Sequence, residues 1–173
     1  DPPATPPEPG AVKKIARALR DVRAAPHPAA TIVPDDEDAS LWHVIVVGPD
    51  STVYAGGCWR ARIRFPPDFP RSPPKCRFVT PIRHANINSV GRVCHSIFDR
   101  QWTPATKLPQ VISCVYGLLL SPDNDDPLDS NLALDFYQAT GRYEADIIEH
   151  TKAHAFRTRG EHARRGVRFY LDA

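Results

Sequence analysis

The chain has 173 residues, enough for one globular domain with flanking tails, and at that length a core needs no disulfide or metal staple. It is 42% hydrophobic and 24% charged, with net charge +2 and pI about 8.4, a soluble balance too mildly basic to argue for nucleic acid. No run of about 18 apolar residues is present, so no membrane span is expected, and no signal peptide is recognisable. The chain opens at Asp1 and lacks methionine, which suggests a domain cut from a longer protein.

Residues 1–10 (DPPATPPEPG) are half proline and read as a flexible lead-in unable to form helix or sheet. In AVKKIARALRDVRAA, Val12, Ile15, Leu19 and Val22 recur at helical spacing, and the helix should stop at Pro26-His27-Pro28. LWHVIVV then reads as a strand ended by the turn Gly48-Pro49-Asp50. The next strand, CWRARIRF, alternates strictly. It sets Trp59, Ala61, Ile63 and Phe65 on one face and Arg60, Arg62 and Arg64 on a face expected to be solvated. A third strand, KCRFVT, follows the proline-dense PPDFPRSPP, and tight connections make the set an antiparallel meander.

The segment His84 to Pro104, HANINSVGRVCHSIFDRQWTP, is expected to be mostly extended or irregular. LPQVISCVYGLLL is apolar nearly all round and reads as a buried central helix with Pro109 in its first turn. Two further helices are expected, DSNLALDFYQA capped by Ser130 and the amphipathic GRYEADIIEHTKAHA. From Lys152 on, six basic residues (Lys152, Arg157, Arg159, Arg164, Arg165, Arg168) face two acids (Glu161, Asp172), which suggests an exposed tail or partner-binding arm. Helix, antiparallel strands, a polar extended segment and then helices make the class α+β.

The four cysteines, Cys58, Cys76, Cys94 and Cys114, form no CxxC pair, so a zinc site is not expected and reduced thiols are. Cys58, Cys76 and Cys114 read as core or turn-edge residues, as do Trp42 and Trp59 as core. Cys94 stands among polar residues. A hydrolase would need a histidine base beside it, but His95 points to the opposite face of an extended segment and His84 has no carboxylate to orient it. Thioester transfer asks for less. Sulfur attacker and sulfur leaving group are matched near neutral pH. An amide donor for the oxyanion, typically worth about 3 kcal/mol, suits Asn86. An acidic group to ease loss of a proton from an incoming amine suits the loop Asp123-Asn124-Asp125-Asp126.

In combination, several motifs resemble the ubiquitin-conjugating enzymes over about Val12 to Ala155. They are GPDSTVYAGG, FPPDFPRSPPKCRF, His84-x-Asn86 eight positions before Cys94, Trp102-x-Pro104 and Asp126-Pro127. The resemblance implies a catalytic domain over residues 11–155 with a basic extension over 156–173. It adds a strand near Thr31, giving a four-stranded meander. Cys94 would form the thioester, Asn86 would support the oxyanion or the active-site loop, and Asp126 would lie beside the incoming lysine. His84 would be structural, and Ser96 stands where some members have an acid.

Lys13, Lys14 and Arg17 would meet the activating enzyme, with Arg71, Pro104 and Ala105 completing the surface offered to a ligase. Thr31 would mark a rear face for a second ubiquitin. The partners implied are ubiquitin, its activating enzyme, a ligase and protein substrates. No cofactor, metal, membrane or nucleic acid is implied, ATP being used upstream, and a cytoplasmic or nuclear monomer is expected. The short SIFDRQWTP favours ubiquitin over SUMO or NEDD8. Departures are Ala85 for the usual proline, which loosens the turn, Arg71 for a common aromatic, and His95 for an aliphatic. Ala85 and Arg71 motivate the alternative of a non-catalytic ubiquitin-binding scaffold; a conjugating enzyme for another ubiquitin-like modifier is the other alternative.

Overall fold

Proline and alanine decide where the first helix sits. In the computed structural model, which describes residues 5–123, 128, 132, 141–155 and 161, helix α1 spans Pro9–Ala24. It starts before the expected end of the lead-in because proline fits the first helical position, where the missing N–H has no intrahelical partner to lose. The Glu8 N–H just ahead donates to the Pro67 carbonyl at 3.0 Å, so this entry is anchored. The buried stripe is Ala11, Ile15, Ala18 and Val22, while Val12 is 39% exposed and Leu19 only partly buried. The stripe is rotated from the expected one because two alanines take core positions, and their small side chains let α1 pack closely.

The four strands β1 (Ala30–Pro34), β2 (Leu41–Val47), β3 (Cys58–Arg64) and β4 (Lys75–Phe78) pair antiparallel in chain order, the expected meander. Val46 faces Trp59 and Ile63 faces Cys76, so Trp42, Val44, Val46, Trp59, Ala61, Ile63, Cys76 and Phe78 share one buried face. The other face carries Thr31, Val33, His43 and the arginines of β3; Arg60, Arg62 and Arg64 are half-buried rather than freely solvated.

Helix α2 (Leu108–Leu120) closes the core with Leu108, Val111, Ile112, Val115, Leu118 and Leu119. Pro109 stands in its first turn as expected, and the Gln110 side chain accepts the Lys107 N–H at 3.1 Å. Ser113 and Leu120 are exposed and Cys114, Tyr116 and Gly117 half-buried, so the helix is buried along one side and not all round. Helix α3 (Arg142–His154) buries Tyr143, Ile147 and Thr151. Its end is tied to β3, whose Cys58 N–H donates to the Ala155 carbonyl at 2.7 Å. Of the helix expected over 129–139, only Leu132, which is helical and buried in the core, is among the described residues.

The connection between β2 and β3 builds the wall behind the motif segment. Gly48 must be glycine, since a Cβ there would lie 1.9 Å from the Tyr54 carbonyl oxygen. Tyr54 donates its hydroxyl to the Arg83 carbonyl at 3.0 Å and stacks on His84 with ring centroids 5.8 Å apart. Trp59, fully buried, donates its indole N–H to the Pro81 carbonyl at 3.2 Å. His84 Nε2 lies 2.7 Å from the Leu118 carbonyl and donates to it, joining the segment to α2.

Burial holds the His84 imidazole down at about 4, against an ordinary 6.5. A group depressed in the folded state takes its proton more readily in the unfolded chain. Its contribution is therefore full above pH 6.5 and lost as pH falls towards 4. Denaturant unfolding should show about 3 kcal/mol of stability lost from this group between pH 7 and pH 4. In the same window the NMR signal of the His84 ring should stay that of neutral imidazole until close to pH 4; titration near 6.5 would contradict the assignment.

Candidate functional site

The motif segment is a tight hairpin more than an extended run. His84 Nδ1 accepts the Asn86 N–H at 2.9 Å and the His84 carbonyl accepts the Ile87 N–H at 3.1 Å. These bonds close the turn at Ala85 without a proline ring, and Ala85, buried, uses its carbonyl to accept the Leu128 N–H at 2.7 Å. Asn88 turns the chain: its Oδ1 accepts the N–H groups of Val90 (3.1 Å) and Arg92 (2.9 Å). Gly91 sits at φ +83°, where a side chain is strained, and a Cβ would lie 2.0 Å from the Phe78 carbonyl oxygen. The returning arm then pairs along β4, with Phe78 N–H donating to Gly91 and Val93 N–H to Cys76. Cys94 arrives opposite Asn86, its N–H donating to the Asn86 carbonyl at 2.9 Å.

Asn86 is 0% exposed and its side-chain amide grips one residue at two points. Oδ1 accepts the Asp123 N–H at 2.9 Å and Nδ2 donates to the Asp123 carbonyl at 2.6 Å. This is an anchor for the loop leaving α2. Asn86 and Asp123 stand 37 residues apart, and no spacing rule announces the pair. Asp126 lies outside the described residues, so Asp123 is the acid of that loop whose place is known.

Both histidines near the thiol have other employment. Each ring nitrogen of His84 is engaged, and the ring is buried and neutral. His95 is extended (φ −164°, ψ 143°) and its Nδ1 accepts the Ile97 N–H at 3.0 Å, capping a 3-10 turn over Ser96–Phe98. Its Nε2 lies 3.9 Å from Asp123 Oδ2. With Nδ1 spent on the cap, neutral His95 carries its proton on Nε2, which makes it a donor and not a base. Ser96 is buried under the turn, its carbonyl accepting the N–H groups of Asp99 and Gln101.

Among the cysteines, burial pushes the Cys76 thiol up to about 12 and raises that of the half-buried Cys114; Cys58 is buried, and none of the four forms a disulfide. Cys94 is half-buried, at the open side of the hairpin. Among the described residues no three His, Cys, Asp or Glu side chains could hold a metal ion, and no helix is long and apolar enough to cross a membrane.

The loops expected to meet partner enzymes come together. Trp102 donates its indole N–H to the Pro70 carbonyl at 3.0 Å and packs on Phe69, which joins the Pro104–Ala105 loop to the loop of Arg71. Arg71 pairs with Glu8 at 3.2 Å, bringing the start of α1 to the same place. Lys13, Lys14, Arg17, Arg71, Pro104 and Ala105 are all exposed. Thr31 is half-buried on the outer sheet face, opposite Ile45.

A model of the family described as ubiquitin-conjugating enzyme matches residues 14–151. A probable bifunctional E2/E3 enzyme of Acanthamoeba polyphaga mimivirus is 47% identical over 148 residues, 86% of this chain. The chain spans only 11% of the length of that relative. The meander with its flanking helices, the hairpin that sets a half-buried cysteine opposite a buried asparagine, and a family match over most of the residues agree: this chain belongs to the ubiquitin-conjugating enzymes.

Proposed function

We propose that Cys94 is the residue that carries ubiquitin. The observation that carries this reading is the hydrogen-bonded unit of Cys94, Asn86 and Asp123: a half-buried thiol, held by its own N–H beside an anchored acidic loop, with the acceptor nitrogens of His84 and His95 both engaged elsewhere. In charging, the Cys94 sulfur attacks the thioester carbonyl on the activating enzyme. A C–S bond to Cys94 forms, the C–S bond to the activating enzyme's cysteine breaks, and that thiolate takes up a proton. Little activation is needed, because attacking and leaving sulfurs are equivalent. In transfer, a substrate lysine amine attacks the same carbonyl, the C–N bond forms, Cys94 leaves as thiolate and the amine proton passes to solvent or to the acidic loop. Asp126 is assigned the place beside that lysine.

Activating enzyme and ligase are assigned the joined surface of Lys13, Lys14, Arg17, Arg71, Pro104 and Ala105, and a second ubiquitin the rear face at Thr31. The domain works as a monomer in cytoplasm or nucleus, with no cofactor of its own.

Asn86 is assigned the role of loop anchor, since its amide is buried and spent on the Asp123 main chain. Incubation with cognate activating enzyme, ATP and ubiquitin should give an adduct removed by thiol reductant and absent in Cys94→Ala; an adduct that survives that substitution would refute the assignment. Asn86→Ala leaves two main-chain groups of Asp123 without their partner, so unfolding stability should drop by about 2 kcal/mol and discharge to lysine should slow together. Discharge slowed roughly 100-fold at unchanged stability would instead identify the amide as a donor to the oxyanion.

A further inference from the structure

The last two turns of α3 carry a pair of histidines that the conjugation reaction leaves unused. His150 and His154 stand four residues apart, a spacing that brings two helical side chains to one face with about 5–6 Å between their Cβ atoms. Their rings lie against each other, centroids 4.4 Å apart and planes at 45°. His154 is exposed and His150 half-buried, and neither ring makes a hydrogen bond among the described residues. Burial, and after it the charges of His154 and Arg83, lowers the His150 pKa from its ordinary 6.5. Near neutral pH His150 is therefore unprotonated and keeps a nitrogen lone pair. Protonating both rings in this contact would set like charges together. Asp146, one turn earlier on the same face, is engaged by Arg83 at 3.0 Å, so the charge of the guanidinium near the pair is offset.

We propose that His150 and His154 chelate a zinc ion on the surface of α3. Neutral imidazole is a ligand for zinc, whereas the hard ions magnesium and calcium take oxygen. Two Zn–N bonds of about 2.0–2.1 Å in a tetrahedral site set their nitrogens roughly 3.3 Å apart, which rings in this contact reach by small rotations about their broad terminal torsion. Histidines four apart on a helix are also the paired ligands of zinc metalloproteases, which add a glutamate base after the first. Here that position is the buried Thr151, so the pair binds without the means to hydrolyse. Two protein donors leave the remaining positions to water, which makes the ion an accessory and not a cofactor of conjugation. Both ligands reach one ion only while the turn between them is helical. The ion therefore staples the end of α3, which bonds to β3 through the Ala155 carbonyl. Cys94 and His95 are the competing donors, but consecutive side chains of an extended segment point apart.

The test is titration of the whole chain with Zn2+, followed by calorimetry and by amide hydrogen exchange. Exchange should slow at the amides of residues 150–155 when the ion binds. Affinity should fall as pH drops from about 7 to 5, where protons compete for the imidazole nitrogens. His150→Asn and His154→Asn should each bind Zn2+ roughly tenfold less tightly or worse, because the second ligand no longer acts within the same molecule. His154 is exposed, so its variant should melt at the wild-type temperature without metal, which separates loss of a ligand from loss of the fold. Cys94→Ala should leave the affinity unchanged, and Mg2+ in place of Zn2+ should not slow exchange. Undiminished binding in both histidine variants, loss of binding in Cys94→Ala, or slowed exchange confined to the arm that carries Cys94 overturns the proposal.

Discussion

A single buried amide fixes the geometry on which the site depends. Asn86 has no contact with water, so each of its polar atoms must find a partner or cost about 1–3 kcal/mol. It finds them in the main chain of Asp123, and at the same time its own carbonyl receives the N–H of Cys94. One residue thereby couples the exit of α2 to the arm that carries the thiol. The loop leaving α2 and the Cys94 sulfur are held in one frame.

Within that frame neither neighbouring histidine is available as a base for the thiol. His84 is buried, neutral and committed at both nitrogens, to α2 on one side and to Asn86 on the other. His95 spends its acceptor on a cap. A thiol surrounded in this way is poorly equipped for hydrolysis and well suited to exchange, because thioester exchange depends on the matching of two sulfurs. The same economy explains how Ala85 is accommodated: the turn is closed by the imidazole and by main-chain bonds, and the buried methyl fills its place.

Local pattern was enough wherever one face of an element is buried and the other is not. β2 and β3 lie where alternation put them, and α3 where helical spacing put it, because burying one face of a strand or helix leaves a periodic mark. The phase of α1 was misread because Ala11 and Ala18 contribute burial with little hydrophobic weight. The hairpin between Asn86 and Cys94 left no such mark, since it is held by the Asn88 side chain and isolated bridges and has no strands of its own.

The sequence by itself determined the class, the order of the elements and the family, because periodicity and a fixed spacing of His84, Asn86, Cys94 and Trp102 are properties of neighbours along the chain. Only the tertiary structure decided what those residues touch. The grip of Asn86 on Asp123, the bond of Cys94 to the Asn86 carbonyl and the capping duty of His95 each join parts that are remote or turned back on one another. Hydrogen bonds act over a few ångströms of space, and distance along the chain does not enter into them.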